Sequence, residues 1–190
     1  VVVAAGTLAS TAIVMRSLQD RSERRLLSVP FAGFALWLPR MLGASREPAR
    51  GFAQTAFTLD GHGADSICGF TFSTHALPLV EFVRGMPLSR RSSTALLRAM
   101  LSSMVVANCF FPGSLSDHRV TLAQDGALLI RGGRSPDLEP LMQRTRQRLQ
   151  ACFRQLGAFV LPGSFRPGAT GADAHYAGTL PMRAQPNRGD

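Results

Sequence analysis

Residues 175–182 read His-Tyr-Ala-Gly-Thr-Leu-Pro-Met, and they place an ionisable ring just before a flexible turn. A histidine can exchange a proton near neutral pH because its unperturbed pKa is about 6.5. Gly178 lets the main chain approach a neighbouring group closely, and Thr179 offers a hydroxyl and a backbone N–H. The stretch alone leaves two interpretations open: a reactive segment around His175, or an ordinary loop whose histidine is bonded to the backbone.

The first 18 residues have the pattern of a strand, a glycine and a helix. Residues 1–5 are apolar and β-branched at their start, which predicts a buried strand. Gly6 follows, and apolar residues then recur from Leu8 to Met15. A glycine between a strand and a helix brings the backbone close to the nucleotide in many α/β proteins. By itself the arrangement is also common in proteins of this class that bind no nucleotide.

Both segments resemble parts of the glucose–methanol–choline (GMC) family of flavin oxidoreductases. Residues 175–182 resemble the family's His-x-x-Gly-Thr-x-x-Met stretch, and residues 5–18 resemble its second signature, Ala-Gly-Ala-x-x-Ser-Pro-x-x-Leu-Leu-x-Ser-Gly. Thr11 stands at the usual proline of that signature, and Leu18 stands at its last glycine. The two segments occur in the family's order, and the stretch between them has the size of a substrate domain.

The resemblance implies a flavin-dependent enzyme that oxidises the CH–OH group of a small alcohol, with FAD as its cofactor. In the family, this histidine takes the hydroxyl proton while hydride leaves for the flavin, so His175 would be the catalytic base. Gly6 and Thr7 would be neighbours of the flavin, and Gly178 and Thr179 would form the turn on its other side. The alcohol, the electron acceptor (oxygen, a quinone or a cytochrome) and the oligomeric state stay open.

The resemblance also implies a division of the chain into two domains. Residues 1–45 would be the tail of an FAD-binding α/β domain and a linker, and residues 46–190 would be the substrate-binding domain. The implied fold class is α+β, with an antiparallel sheet of about half a dozen strands backed by helices. The family's Gly-x-Gly-x-x-Gly motif would precede Val1 and its second active-site residue would follow Asp190. We therefore expect a fragment that is inactive in isolation.

Hydrophobic patterns support an α+β fold independently of the resemblance. They predict hairpins over residues 51–74 and 116–131, strands over 103–111 and 159–161, and helices over 79–84, 94–101 and 137–156. His118 begins the second hairpin, in a segment similar to the family's Ser-x-Gly-x-Val-x-Leu strand, at the position of the glycine. We expect His118 to be an exposed residue at the edge of its strand.

Composition argues against several other classes of protein. The net charge is +9, and all 21 basic residues are arginines, which are scattered and not interleaved with aromatic residues, so no nucleic-acid partner is expected. The three cysteines are far apart, which argues against a metal site and predicts buried, reduced thiols. Pro30 and Pro39 interrupt the apolar run 26–42, so no membrane span is predicted. The N-terminus lacks a basic signal-peptide region, which favours a cytoplasmic location.

Two alternatives to an active enzyme remain open at this stage. The chain could be a divergent, non-catalytic GMC-like domain that binds a hydrophobic ligand. It could also be a protein-interaction domain that docks through the arginine-rich face of the helix predicted over 137–156, where Arg144 and Arg148 lie.

Overall fold

The computed structural model describes residues 2–44, 55–60, 66–73 and 79–181. The chain is α+β: its described residues form helices and two antiparallel sheets. Helices α1 to α4 span Thr7–Ser17, Leu79–Arg84, Arg90–Met100 and Leu138–Gln155. Strands β1 to β10 span Arg24–Val29, Phe31–Trp37, Thr55–Leu59, Ile67–Ser73, Met104–Phe110, His118–Leu122, Leu128–Arg131, Phe159–Val160, Arg166–Pro167 and Ala174–Ala177.

The described residues form two compact units. The first unit consists of residues 2–31, 111–139 and 168–181, and the second consists of residues 32–44, 55–60, 66–73, 79–110 and 140–167. This division differs from a single boundary after residue 45, because residues 111–139 and 168–181 pair with the N-terminal part of the chain. The assignment of these parts to a flavin domain and a substrate domain stays a prediction.

The first unit consists of α1 and a four-stranded sheet in the order β10-β1-β6-β7. Its core forms because α1 turns Met15 inward while alternate residues of the strands, such as Leu26 and Val120, point to the same interior; all three are fully buried. Helix α1 contacts both β6 and β10. The N-terminal segment and residues 174–177 are therefore neighbours in the same unit.

The second unit contains a six-stranded sheet in the order β3-β4-β5-β2-β8, with β9 also paired to β2. Strand β2 alternates: Ala32, Phe34 and Leu36 are buried, and the residues between them are half-buried. The Phe34 ring lies 6.0 Å from the ring of Phe153 on α4, measured between centroids. Helix α4 thus packs on one face of β2, and the other face carries Gly33 and Ala35 between Phe31 and Trp37.

Most of the predicted local elements are confirmed, with three corrections. Residues 2–5 are exposed and form no strand, and β1, β2 and β10 were not predicted as strands. Of the three cysteines predicted to be buried, Cys109 is buried and Cys68 and Cys152 are exposed, so the prediction is wrong for two of them. Burial raises the pKa of the Cys109 thiol to about 12. In the part of the chain that the structure describes, no helix is long and apolar enough to cross a membrane.

Candidate functional site

The two segments that resemble the GMC family meet at the start of α1 in the first unit. The hydroxyl of Thr7 donates a hydrogen bond of 2.6 Å to the carbonyl oxygen of Tyr176, although the two residues are 169 positions apart. One turn further along α1, the hydroxyl oxygens of Thr11 and Thr179 lie 2.6 Å apart. Hydrogen bonds of this length are well formed. Residues near both ends of the described chain therefore build one local site.

The hydroxyl bonds between the segments have a defined direction. Thr11 donates its only hydroxyl proton to the carbonyl oxygen of Thr7, at 2.6 Å. The bond between Thr11 and Thr179 must then be donated by Thr179. The hydroxyl of Thr179 is therefore used inside the protein, where it fixes the turn. It is not available to a bound ligand.

His175 lies on a β-bulge and is exposed. In the pairing of β10 with β1, Tyr176 faces Ser28 and Ala174 faces Val29, which leaves His175 as the extra residue. Its φ of 55° lies in the left-handed region, which is uncommon for residues other than glycine and costs on the order of 1 kcal/mol. Bulges of this kind redirect side chains and are frequent beside active sites. The bulge here presents the His175 ring to solvent.

Gly178 is required by the shape of the turn that follows β10. Its φ is 82°, and a Cβ atom at this position would lie 2.8 Å from Cδ1 of Leu27. Beneath the turn, the buried guanidinium of Arg24 reaches the carbonyl oxygen of Thr179 at 3.5 Å. Arg24 is paired in turn with Asp20, at 2.6 Å. The turn thus packs against Leu27 and Arg24 of β1, and Thr179 joins it to Thr11 of α1.

Gly6 leaves the first turn of α1 open. Its φ is 81°, and an added Cβ atom would have no heavy atom within 4 Å. No side chain caps this end of the helix, and no acidic residue lies in its first turn. The backbone N–H groups at a helix start carry partial positive charge and seek an acceptor. The end of α1 beside Thr7 can therefore receive an anionic group or a carbonyl oxygen.

A buried carboxylate supports the other end of β10. The Asp173 side chain is 0% exposed, and it lies two residues before His175. Its Oδ2 atom accepts a hydrogen bond of 2.7 Å from the hydroxyl of Ser28 and lies 2.7 Å from Nε2 of His118. The guanidinium of Arg134 lies 3.5 Å from Oδ1. Asp173 thus joins β10 to β1, to β6 and to the segment after β7.

His118 is buried, contrary to the prediction of an exposed strand-edge residue. It is 1% exposed because β6 turns alternate residues inward, and Val120 and Leu122 occupy the next inward positions. The backbone N–H of Gly133 donates to Nδ1 of His118 at 3.0 Å, so this nitrogen carries no proton. Nε2 therefore bears the proton and donates to Asp173. The ring is neutral and serves as a structural donor.

Comparison of the chain with protein-family models, with curated proteins and with solved structures found no match. Within the described ranges, no three His, Cys, Asp or Glu side chains are grouped so that they could hold a metal ion. The geometry of α1, β10 and the residues that hold them is therefore the basis for a proposed function.

Replacing Asp173 with alanine should destabilise the first unit strongly. The change leaves the buried donors of Ser28 and His118 without their acceptor, so we expect the free energy of unfolding to fall by about 3 kcal/mol or more, measured by urea titration. The matched control is Asp117→Ala, which removes only an exposed pair with Arg119 and should cost less than about 1 kcal/mol. Equal losses in the two variants would contradict the assignment of Asp173 as a buried support.

Stability at acid pH should depend on Asp20. Its hydrogen bond from Arg24 lowers the pKa of the Asp20 carboxyl from 3.8 to about 2. Because the folded-state pKa is the lower one, this stabilisation is fully present above about pH 4 and is lost as the pH falls through about 2. Urea titrations over this range should show a shallower decline for Asp20→Asn than for the parent chain. Identical declines would show that the pair does not contribute.

Proposed function

We propose that this chain carries the histidine-bearing side of a flavin-dependent oxidoreductase that oxidises the CH–OH group of an alcohol, with FAD as cofactor. The observation that carries the proposal is the 2.6 Å hydrogen bond between Thr7 and Tyr176. These residues belong to the two stretches that resemble GMC segments. If both resemblances were due to chance, there would be no reason for the two stretches to lie in contact. The contact between them supports the hypothesis that both stretches belong to one site.

The residues at the start of α1 fit the requirements of a flavin cofactor. Gly6 has no side chain to obstruct a bound group, and the uncapped N–H groups behind it can donate to a phosphate or a ring carbonyl oxygen. The backbone of Thr7 belongs to the same turn, while its hydroxyl is already committed to Tyr176. In this proposal Gly6 and Thr7 contact the cofactor through their main chain.

His175 is the group of this chain that is suited to act as the base. Bound FAD supplies the hydride acceptor, and loss of hydride from the alcohol carbon requires loss of the hydroxyl proton as well. The described residues contain two histidines, and His118 is buried with both ring nitrogens bonded. His175 is exposed on its bulge, and its ring is open to a substrate. It would take the hydroxyl proton.

The neighbouring turn holds the base in place. Gly178 gives the main chain its left-handed conformation, and Thr179 ties the turn to Thr11. These two residues shape the site, since one has no side chain and the other has its hydroxyl buried. A well-placed base contributes roughly 10²–10⁴-fold to the rate, and that contribution depends on its position within hydrogen-bond reach of the hydroxyl.

The test is the His175→Asn change in the natural protein that contains this chain. Asparagine tolerates the left-handed backbone of the bulge, so the variant removes the base and keeps the local fold. With a panel of primary and secondary alcohols and dichlorophenolindophenol as acceptor, we expect turnover to fall by roughly 10²–10⁴-fold. The amount of bound flavin should stay at the parental level, since the imidazole is not assigned to cofactor binding.

The matched control is Gln19→Asn. Gln19 is exposed, lies in the same unit and has a φ of 52°, so the substitution repeats the backbone conformation at a position outside the site. Its turnover should be that of the parent. Parental turnover in His175→Asn would remove His175 from the reaction. A natural protein that binds no flavin and oxidises none of the alcohols would contradict the proposed function itself.

A further inference from the structure

The second unit contains an apolar cavity of about 660 Å³. Small-molecule sites in proteins have volumes of roughly 300–1,000 Å³ and are lined mainly by apolar side chains. The cavity lies between β2, the start of β5, helix α3 and the segment 161–166. Its apolar lining includes Met86, Leu97, Met100, Met104, Val106 and Leu161.

Small residues on β2 keep this cavity open. Gly33, Phe34 and Ala35 all line it, and the small Gly33 and Ala35 alternate with the larger Phe34 and Leu36, which are buried. Successive residues of a strand point to opposite faces, so no β2 side chain larger than a methyl group enters the cavity from positions 33 and 35. The space is therefore a consequence of the order of small and large residues along the strand.

The lining offers one free charged group. The hydroxyl of Ser164 is occupied, because it donates to the carbonyl oxygen of Leu161 at 2.7 Å and accepts from the backbone N–H of Ala35 at 3.1 Å. Arg166 also lines the cavity, and it is paired with Gly33, so its side chain lies on the face of the sheet that Gly33 lines. Its guanidinium has no hydrogen-bond or ion-pair partner among the residues that the structure describes. The mainly apolar lining thus contains one charged residue, Arg166.

We propose that this cavity binds a small amphipathic ligand with an apolar body and one carboxylate, of the chemical class of medium-chain fatty acids. The apolar body would lie against the methionine and leucine side chains, and Arg166 would pair with the carboxylate. Methionine side chains adapt to irregular apolar shapes because they are unbranched and flexible. A ligand rich in hydroxyls is disfavoured, since burial without partners costs each polar group free energy. The site requires neither His175 nor a cofactor.

Isothermal titration calorimetry of the 190-residue chain with decanoate, below its critical micelle concentration, tests this proposal. We expect saturable binding at one site. Arg166→Gln should weaken decanoate binding by about fivefold, as expected for an ion pair of an exposed arginine, and should leave binding of decan-1-ol unchanged. Arg40→Gln is the matched control: Arg40 is exposed in the same unit and does not line the cavity, so affinity should not change.

A second variant tests the cavity itself. Ala35→Leu places additional carbon atoms in the space and should weaken the binding of both decanoate and decan-1-ol, while thermal unfolding reports whether the variant folds. Absence of saturable decanoate binding by the parent chain would overturn the proposal, and so would affinities unchanged by both Arg166→Gln and Ala35→Leu. Sensitivity to Ala35→Leu alone would overturn the assignment of a carboxylate ligand. No flavin is present, so a negative result leaves the flavin proposal unaffected.

Discussion

The hydrogen bond between Thr11 and Thr179 is the constraint on which the site depends. The two hydroxyl oxygens lie 2.6 Å apart, and the residues are 0% and 3% exposed. A buried hydroxyl without a partner is destabilising. The hydroxyl of Thr11 also donates to the carbonyl oxygen of Thr7, whereas the hydroxyl of Thr179 depends on Thr11 as its acceptor. The bond ties the second turn of α1 to the turn after β10, and it keeps Thr7 next to the carbonyl of Tyr176. The signature that residues 5–18 resemble has proline where this chain has Thr11, and proline could not make this bond.

A second set of buried contacts holds the other end of the same segment. Asp173 precedes His175 by two residues, and its carboxylate is bonded to Ser28 and to the neutral ring of His118. The segment from 173 to 179 is therefore fixed at both ends by buried polar groups. The exposed bulge lies between these two anchors. These two anchors would hold the bulge in a defined position, which the proposed role of His175 as a base requires.

The sequence predicted helices and hairpins with a regular apolar pattern, and it missed strands whose residues do not alternate between apolar and polar: β2 is apolar throughout, and β1 has polar residues on its inward face. The helix predicted over 137–156 is α4, and both predicted hairpins are present as paired strands. Strand β1 was missed because Arg24 and Ser28 point inward on either side of Leu26, so its pattern does not alternate between apolar and polar residues. The hydrogen-bond partners of Arg24 and Ser28 are far away in the sequence, except for Asp20. His118 was placed at the surface for the same reason, although its alternation with Val120 was a usable signal.

The candidate site shows the same limit. The resemblance selected His175, Gly6 and Gly178, and the structure brings their segments together. Nothing in the sequence indicated that Asp173 is buried, because a single aspartate in a loop is usually exposed. Its buried partners Ser28 and His118 are 145 and 55 positions away in the sequence. Thr179 was predicted as a cofactor neighbour, which stays a prediction, and the structure shows that its buried hydroxyl is bonded to Thr11. Both Asp173 and Thr179 are buried by contacts with residues far away in the sequence, and a local sequence pattern cannot predict such contacts.

The most direct test of the account is a double-mutant cycle on Thr11 and Thr179. Thr11→Val, Thr179→Val and the double variant would be compared with the parent chain by urea unfolding, since valine keeps the shape of threonine and removes its hydroxyl. If the two segments meet as described, the coupling free energy should be about 1 kcal/mol or more. A coupling within about 0.3 kcal/mol of zero would show that α1 and the His175 segment are not joined, and it would contradict the site on which the proposed function is built.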